Sequence, residues 1–199
     1  MAARARASAA ASPAKPAPTT ATRPMAPEPT ARAQVPSRPM RAAVLTISTS
    51  LALGEGEDRS GPRLAELLAA AGCEVLPVEV LPDDAAAIEA RLRALVADDV
   101  RFAFTTGGTG LTPDDVTPEA TRAVIEREAP AFQQAMLIEG LRHQPLALLT
   151  RGVSGIAGRT LIVNLPGNPK AIDQLFPVIA PALPHAAATL AREEPGARH

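Results

Sequence analysis

From Met40 onward, apolar runs of strand length alternate with stretches in which apolar residues recur at helical spacing. Arg41–Ser48 is almost continuously apolar, as a strand buried on both faces requires. A helix is predicted next: Ser60 is placed to cap it, Pro62 sits in its first turn, Leu64, Leu67, Leu68 and Ala71 share one face, and Gly72 ends it. Cys73–Leu81 reads as a second strand, with Pro77 favouring an edge position. Asp83 and Asp84 open a helix whose apolar face is Ile88, Leu92, Leu95 and Val96. Val100–Thr106 is a third core strand that runs straight into Gly107-Gly108-Thr109-Gly110. Thr117-Pro118-Glu119 has the form of a capped, proline-led helix start, and a further helix is predicted over Ala131–Leu141. Two more short strands are predicted at Leu146–Thr150 and Thr160–Leu165, then a turn at Pro166–Pro169, a helix near Ala171–Ile179 and a last helix after Pro184. Regular alternation of strand and helix predicts an α/β domain with a mainly parallel sheet covered on both faces.

Residues 1–39 break this pattern. They consist of Ala, Pro, Ser, Thr and Arg without hydrophobic periodicity, and such a segment buries too little apolar surface to offset its ordering entropy. The expectation is a disordered Ala/Pro-rich extension, followed by one domain over residues 40–194. An Arg-rich, acid-poor start also resembles an organelle transit peptide, but the prolines fit an amphipathic helix poorly. The extension carries six basic groups and one acid, so with a net charge of −1 for the chain the remainder stands at −6. An acidic domain without Tyr or Trp argues against nucleic acid as a partner. One cysteine, Cys73, excludes an intramolecular disulfide and suits a reducing, cytoplasmic setting. His143, His185 and His199 lack metal-ligand spacing, and no stretch approaches the roughly 18 uninterrupted apolar residues of a membrane span.

Polar and glycine-rich residues collect where the predicted strands end, which is where open parallel sheets bind ligands. Ser48 and Thr49 follow the first strand, Asp83 the second, Thr105–Gly110 the third, Thr150 and Arg151 the fourth, and Pro166–Pro169 the fifth. Thr105-Thr106-Gly107-Gly108-Thr109-Gly110 carries the most chemistry. Glycines let the backbone approach a phosphate closely, so that amides and threonine hydroxyls can point at its oxygens; a tight strand-to-helix turn is the plainer alternative. The segment is neither a P-loop nor a dinucleotide fingerprint. Asp83 and Asp115 could each hold magnesium beside phosphate oxygens, or each could cap the helix that follows it. Pro166-Gly167-Asn168-Pro169-Lys170 can offer helix N-terminal amides and a cation to an anion, although Lys170 could equally be a solvated surface charge.

Taken in order, these segments resemble the MoaB/Mog family of molybdenum-cofactor biosynthesis proteins. The likeness runs through Glu57-Asp58-Arg59-Ser60-Gly61-Pro62, Leu81–Asp84, Thr105–Leu111, Asp115–Ala120, Thr150-Arg151 and Leu165–Lys170, and covers about residues 41–180. It implies a three-layer α/β/α fold of the molybdopterin-binding-domain type, assembled as a trimer. It also implies Mg²⁺- and ATP-dependent adenylylation of molybdopterin, with Asp83 and Asp115 as the catalytic, magnesium-holding pair. Substrate and nucleotide contacts are then expected from Ser48, Asp58, Ser60, Gly61, Thr105, Thr106, Gly107, Gly108, Thr109, Gly110, Thr150, Arg151, Pro166, Gly167, Asn168, Pro169 and Lys170. Three positions depart from the family pattern. Thr49 stands where relatives have Asp, Met136–Gly140 replaces a stretch carrying an arginine and a serine, and Thr150 replaces a serine. The loss of that arginine keeps a second reading open, molybdopterin binding without turnover. A third reading, nucleotide pyrophosphate cleavage of the competence-damage type, shares the glycine-threonine motif.

Overall fold

A computed structural model of the chain describes residues 39–192. The expected extension lies outside the described residues except for Pro39, as do residues 193 and 194 of the expected domain. The elements run β1 (Met40–Ile47), α1 (Thr49–Ala52), α2 (Ser60–Ala70), β2 (Cys73–Val75), β3 (Glu79–Leu81), α3 (Ala85–Ala97), β4 (Phe102–Thr106), α4 (Thr117–Val124), β5 (Arg127–Glu128) and α5 (Ala131–His143). A 3-10 turn (Pro145–Leu149), β6 (Ser154–Ala157), β7 (Thr160–Leu165), α6 (Pro169–Ile179), a second 3-10 turn (Ala180–Ala182) and α7 (Leu183–Leu190) complete it.

The strands form one sheet in the order β2-β1-β4-β7-β6-β5, with β3 also on β1. β1, β2, β3, β4 and β7 are mutually parallel, whereas β6 and β5 are antiparallel to their neighbours. Alternate residues of the central strands face two different cores. On one side Val44, Phe104 and Val163 pack with Leu64 and Leu68 of α2 and with Ile172, Phe176 and Ile179 of α6. On the other, Leu45, Ala103 and Ile162 pack with Ile88, Leu92 and Leu95 of α3 and Ala120 and Val124 of α4. The three-layer α/β/α arrangement follows directly, because a strand buried on both faces needs a helix layer on each. Phe104 lies centrally in the first core, with ring centroids 6.2 Å from Phe102 and 6.1 Å from Phe176.

The structure corrects several expectations. The strand at Cys73–Leu81 is two short strands on the same edge of β1: residues 73–75 pair with 40–42, and residues 79–81 with 45–47. Leu76-Pro77-Val78 interrupts the ladder, since proline has no amide to donate. The strand expected at Leu146–Thr150 is instead the Pro145–Leu149 turn. Both edges of β7 are already taken, by β4 and β6, so no place beside it is left. β6 was not anticipated from the sequence. It is joined to β7 through Gly158-Arg159, and Gly158 has φ +52° in that reversal. Ser60 does not cap α2 with its side chain; Asp58 does, accepting from the Ser60 and Gly61 amides at 3.0 Å each and from the Ser60 hydroxyl. Its other oxygen accepts from the Thr46 hydroxyl at 2.6 Å, tying the start of α2 to β1.

One buried amide links the layers. The Asn164 side chain on β7 donates to the Thr105 and Thr121 hydroxyls, each at 2.9 Å, and accepts from the Val153 amide at 2.9 Å. It thereby ties β4 and α4 to the segment entering β6. A fully satisfied buried polar network of this kind favours one register over others.

Candidate active site

The chain visits β1, then the β2/β3 edge, and then crosses back to β4 on the other side of β1. α2, following β1, lies on one face and α4, following β4, on the other. The carboxyl ends of β1 and β4 therefore flank a topological switch point, the standard place for a crevice in such sheets. Asp83 follows β3 and the Pro166–Lys170 segment follows β7, so four strand ends meet there, not five. Thr150 and Arg151 arrive through the 3-10 turn instead.

The glycine loop is fixed by backbone approach. Gly107 has φ +98°, and a methyl group added to it would lie 2.3 Å from the Ile47 carbonyl oxygen. Gly167 also comes close: its added methyl would be 3.2 Å from the Gly107 Cα. The Gly107 amide donates to the Leu165 carbonyl at 3.2 Å, and the Thr106 hydroxyl donates to Pro166 at 2.9 Å. Thr117, opening α4, reaches back to the same loop, its hydroxyl donating to the Gly107 carbonyl at 3.0 Å and its amide to Gly108 at 3.1 Å.

The expectation that threonine hydroxyls face a ligand is not what is found for Thr105 and Thr106. Both are fully buried, with hydroxyls engaged by Asn164 and Pro166. The polar atoms of Asp58 and Ser60, likewise, are taken up in the joint between β1 and α2. Partly open to the crevice are Gly107, Gly108 and Gly110, and the two aspartates beside them.

Neither aspartate caps the helix that follows it. Asp84 caps α3, accepting from the Ala87 amide at 2.8 Å, and Val116 precedes α4 without a side-chain cap. Asp83 instead pairs with Thr49 after β1. Its Oδ2 accepts from the Thr49 amide at 2.7 Å and hydroxyl at 2.9 Å, while its own amide donates to that hydroxyl at 3.0 Å. Its Oδ1 faces the glycine loop, 3.3 Å from where a Gly108 methyl would be. Asp115 accepts from the Thr112 amide at 2.8 Å and hydroxyl at 2.6 Å, and its Oδ2 lies 2.9 Å from where a Gly110 methyl would be. The two carboxylates thus stand beside glycines two residues apart. Burial works against ionisation of Asp115, but the Thr112 hydroxyl, the Gly110 and Thr112 amides and the Arg151 charge outweigh it, so its pKa lies below the ordinary carboxylate value. Among the described residues no group of three or more His, Cys, Asp and Glu is placed to hold a metal by itself.

Arg151 is turned inward. Its Nε donates to the Gly110 carbonyl at 2.7 Å, one Nη to Glu119 at 2.6 Å and the other to the Asp115 carbonyl. The Thr150 hydroxyl accepts from the Gly152 amide at 3.3 Å. Asn168 caps α6, accepting from the Lys170 amide at 2.9 Å, with Pro169 in the first turn; the rigid entry into a helix expected there is present. Beside the loop, α5, the 3-10 turn and α6 enclose a cleft of about 220 Å³ that reaches Thr109, Gly110 and Asn168. Its walls are mainly apolar, with Met136, Leu137, Leu149 and Leu175 among them. Gly140 lets the turn approach α5, since a methyl there would lie 2.9 Å from the Ala147 Cβ. Sequence reasoning missed Thr112, Glu119 and Asn164. Thr112-Pro113-Asp114-Asp115 is a turn signal that could have indicated the Thr112–Asp115 bond, and Asn164 was a lone amide in an apolar run.

The fold is that of a known class of domain. Residues 43–185 match the family model described as a probable molybdopterin binding domain, and the chain belongs to that family. The molybdenum cofactor synthesis protein cinnamon of Drosophila melanogaster is 42% identical over 146 residues, 72% of this chain but 24% of that protein. The molybdopterin adenylyltransferase of Escherichia coli is 39% identical over 138 residues, 68% of this chain and 71% of the relative. Among solved structures, the molybdopterin biosynthesis enzyme MoaB from Thermus thermophilus superposes with a TM-score of 0.72 at 41% identity, covering 76% of this chain and 96% of that one. The chain spans about a quarter of the Drosophila relative, which is much longer.

Gly107→Ala tests the close approach on which the crevice rests. Strain at φ +98° and the collision with Ile47 should cost at least about 2 kcal/mol, lowering the melting temperature by about 5 °C. A melting temperature within about 1 °C of wild type in scanning calorimetry would contradict this geometry.

Proposed function

We propose that the chain is a molybdopterin adenylyltransferase of molybdenum-cofactor biosynthesis. The observation that carries this is the placement of Asp83 and Asp115. Neither caps the helix that follows it, and both carboxylates border the glycine loop at the switch point. The name borne by the Escherichia coli relative, which the chain matches over most of both lengths, supports the same reading. In this reaction an oxygen of the terminal phosphate of molybdopterin attacks the α-phosphorus of ATP. A P–O bond forms, the bond to the β-phosphate breaks, and pyrophosphate leaves. A phosphate nucleophile is already anionic, so no general base is needed.

Two carboxylates fit magnesium in this setting. Mg²⁺ is usually held by one or two carboxylates together with substrate phosphates and water, not by an all-protein cage. Asp83 and Asp115 would hold it, and it would supply charge neutralisation between two anionic reactants. The chain's own part is binding and alignment. The Gly108 amide and the N-terminus of α6 are suited to phosphate oxygens. The apolar cleft contains no charged residue and suits an uncharged ring, with Gln144 and Gln174 at its walls for hydrogen bonding.

Asp83→Asn and Asp115→Asn keep shape and remove charge. Adenylyl transfer should fall about 100-fold or more in each, as expected when several kcal/mol of electrostatic stabilisation is lost. Molybdopterin binding, measured separately by fluorescence, should weaken less than about tenfold, the equivalent of 1.4 kcal/mol. Transfer near the wild-type rate in both variants would reject the assignment.

We also infer a homotrimer acting in the cytoplasm. Leu146 and Leu148 of the 3-10 turn are 67% and 63% exposed, and Ile138 and Leu141 of α5 are exposed beside them, an apolar surface that assembly would cover. No helix of the described residues is long and apolar enough to cross a membrane. Light scattering should give three times the chain mass at micromolar concentration, and a monomer mass throughout would contradict the assembly.

A further inference from the structure

We infer that Arg151 is a positioning residue that holds the glycine loop and Asp115 in their working geometry, not a contact for substrate. The inference rests on the adenylyl-transfer reading for its kinetic consequence, but not for its structural one. Four bonds define it. The guanidinium donates to the Gly110 carbonyl, to the Asp115 carbonyl and to Glu119, and the Arg151 amide donates to the Thr109 carbonyl at 2.9 Å. One residue thereby gathers the carbonyls of Thr109, Gly110 and Asp115. The intervening residues 111–114 are all exposed, so little packing holds them.

Peptide geometry turns these anchors into orientation. In a trans peptide the carbonyl and the next amide point in opposite directions. Fixing the Thr109 carbonyl on Arg151 therefore aims the Gly110 amide the other way, and the Asp115 carboxylate lies against this same glycine, its Oδ2 2.9 Å from where a Gly110 methyl would be. Fixing the Asp115 carbonyl sets the main chain from which that carboxylate projects. Glu119, on the first turn of α4, sets the plane of the guanidinium. The planar fork of arginine suits three acceptors in one plane, whereas a lysine ammonium on a flexible stem does not. Without the clamp, bound reactants would meet a loop no longer held in its working geometry, which lowers the rate of the chemical step and leaves affinity largely intact.

The test uses Arg151→Met, Arg151→Lys and Glu119→Gln in the whole chain. Amide hydrogen exchange on ligand-free protein should become at least about tenfold faster in residues 110–116 of R151M, corresponding to 1.4 kcal/mol of lost protection. Exchange in β1 and β4 should be unchanged. In steady-state kinetics, kcat should fall about 100-fold while KM for ATP and for molybdopterin stays within about threefold, as for misalignment of bound reactants. Lysine should not rescue kcat. A substrate contact predicts the opposite: a rise in KM at constant kcat, rescue by lysine and unchanged loop exchange, and these results would overturn the inference. If R151M fails to fold by circular dichroism, E119Q decides: faster exchange in residues 110–116 supports the clamp, and unchanged exchange rejects it. If the wild type transfers no adenylyl group, the adenylyl-transfer reading fails, and the exchange result alone decides the clamp.

Discussion

Everything at the crevice depends on how closely three backbones meet. Ile47 ending β1, Gly107 following β4 and Gly167 following β7 are packed so tightly that one methyl group at Gly107 would sit 2.3 Å from a carbonyl oxygen. Only glycine accepts both the positive φ and the contact. Once these strand ends are joined, Gly108 and Gly110 are carried past the Asp83 and Asp115 carboxylates, and Thr117 fastens the start of α4 to the loop. The sheet supplies the rigidity: β1, β4 and β7 are parallel, adjacent and buried on both faces, so their ends are set by two cores at once. A site built on rigid strand ends places charges more accurately than one built on a free loop.

The parts most legible in the sequence were those where a local pattern matches a local cause. Continuous apolar runs marked β1, β4 and β7, and the Asn168-Pro169 signal marked the start of α6. The collection of glycines and acids at the strand ends was also legible, although a tight turn and helix caps remained structural alternatives for them. Misreadings arose where the cause was distant. An apolar run at Leu146–Leu149 looks the same whether it becomes a strand or the wall of a cleft, and what decides is that β6 already occupies the edge of β7. The capping role read for Ser60 belongs to Asp58, two residues earlier, because Thr46 on a different element draws that carboxylate into place. The inward turn of Arg151 depends on Glu119 and on two carbonyls more than thirty residues away, which no local window contains.

Two departures from the family pattern acquire a physical meaning in this structure. Thr49 donates two hydrogen bonds to Asp83 and accepts one from it, which fixes the position of that side chain against the end of β1. Leu137 and Gly140, in the stretch expected to depart from the family pattern, make one wall of the cleft apolar and close-packed. In the proposed reaction, phosphate recognition would fall to the glycine loop and the α6 N-terminus, and the cleft would take an uncharged group.

The central claim is that this crevice joins ATP to molybdopterin. The most direct measurement incubates the purified chain with molybdopterin, ATP labelled at the α-phosphate and Mg²⁺, and follows label and pyrophosphate together. The account predicts that label appears on the pterin in one-to-one proportion with pyrophosphate released, and that omitting molybdopterin stops both. Molybdopterin bound with ATP left intact, or ATP cleaved to AMP and pyrophosphate without labelled pterin, would contradict it.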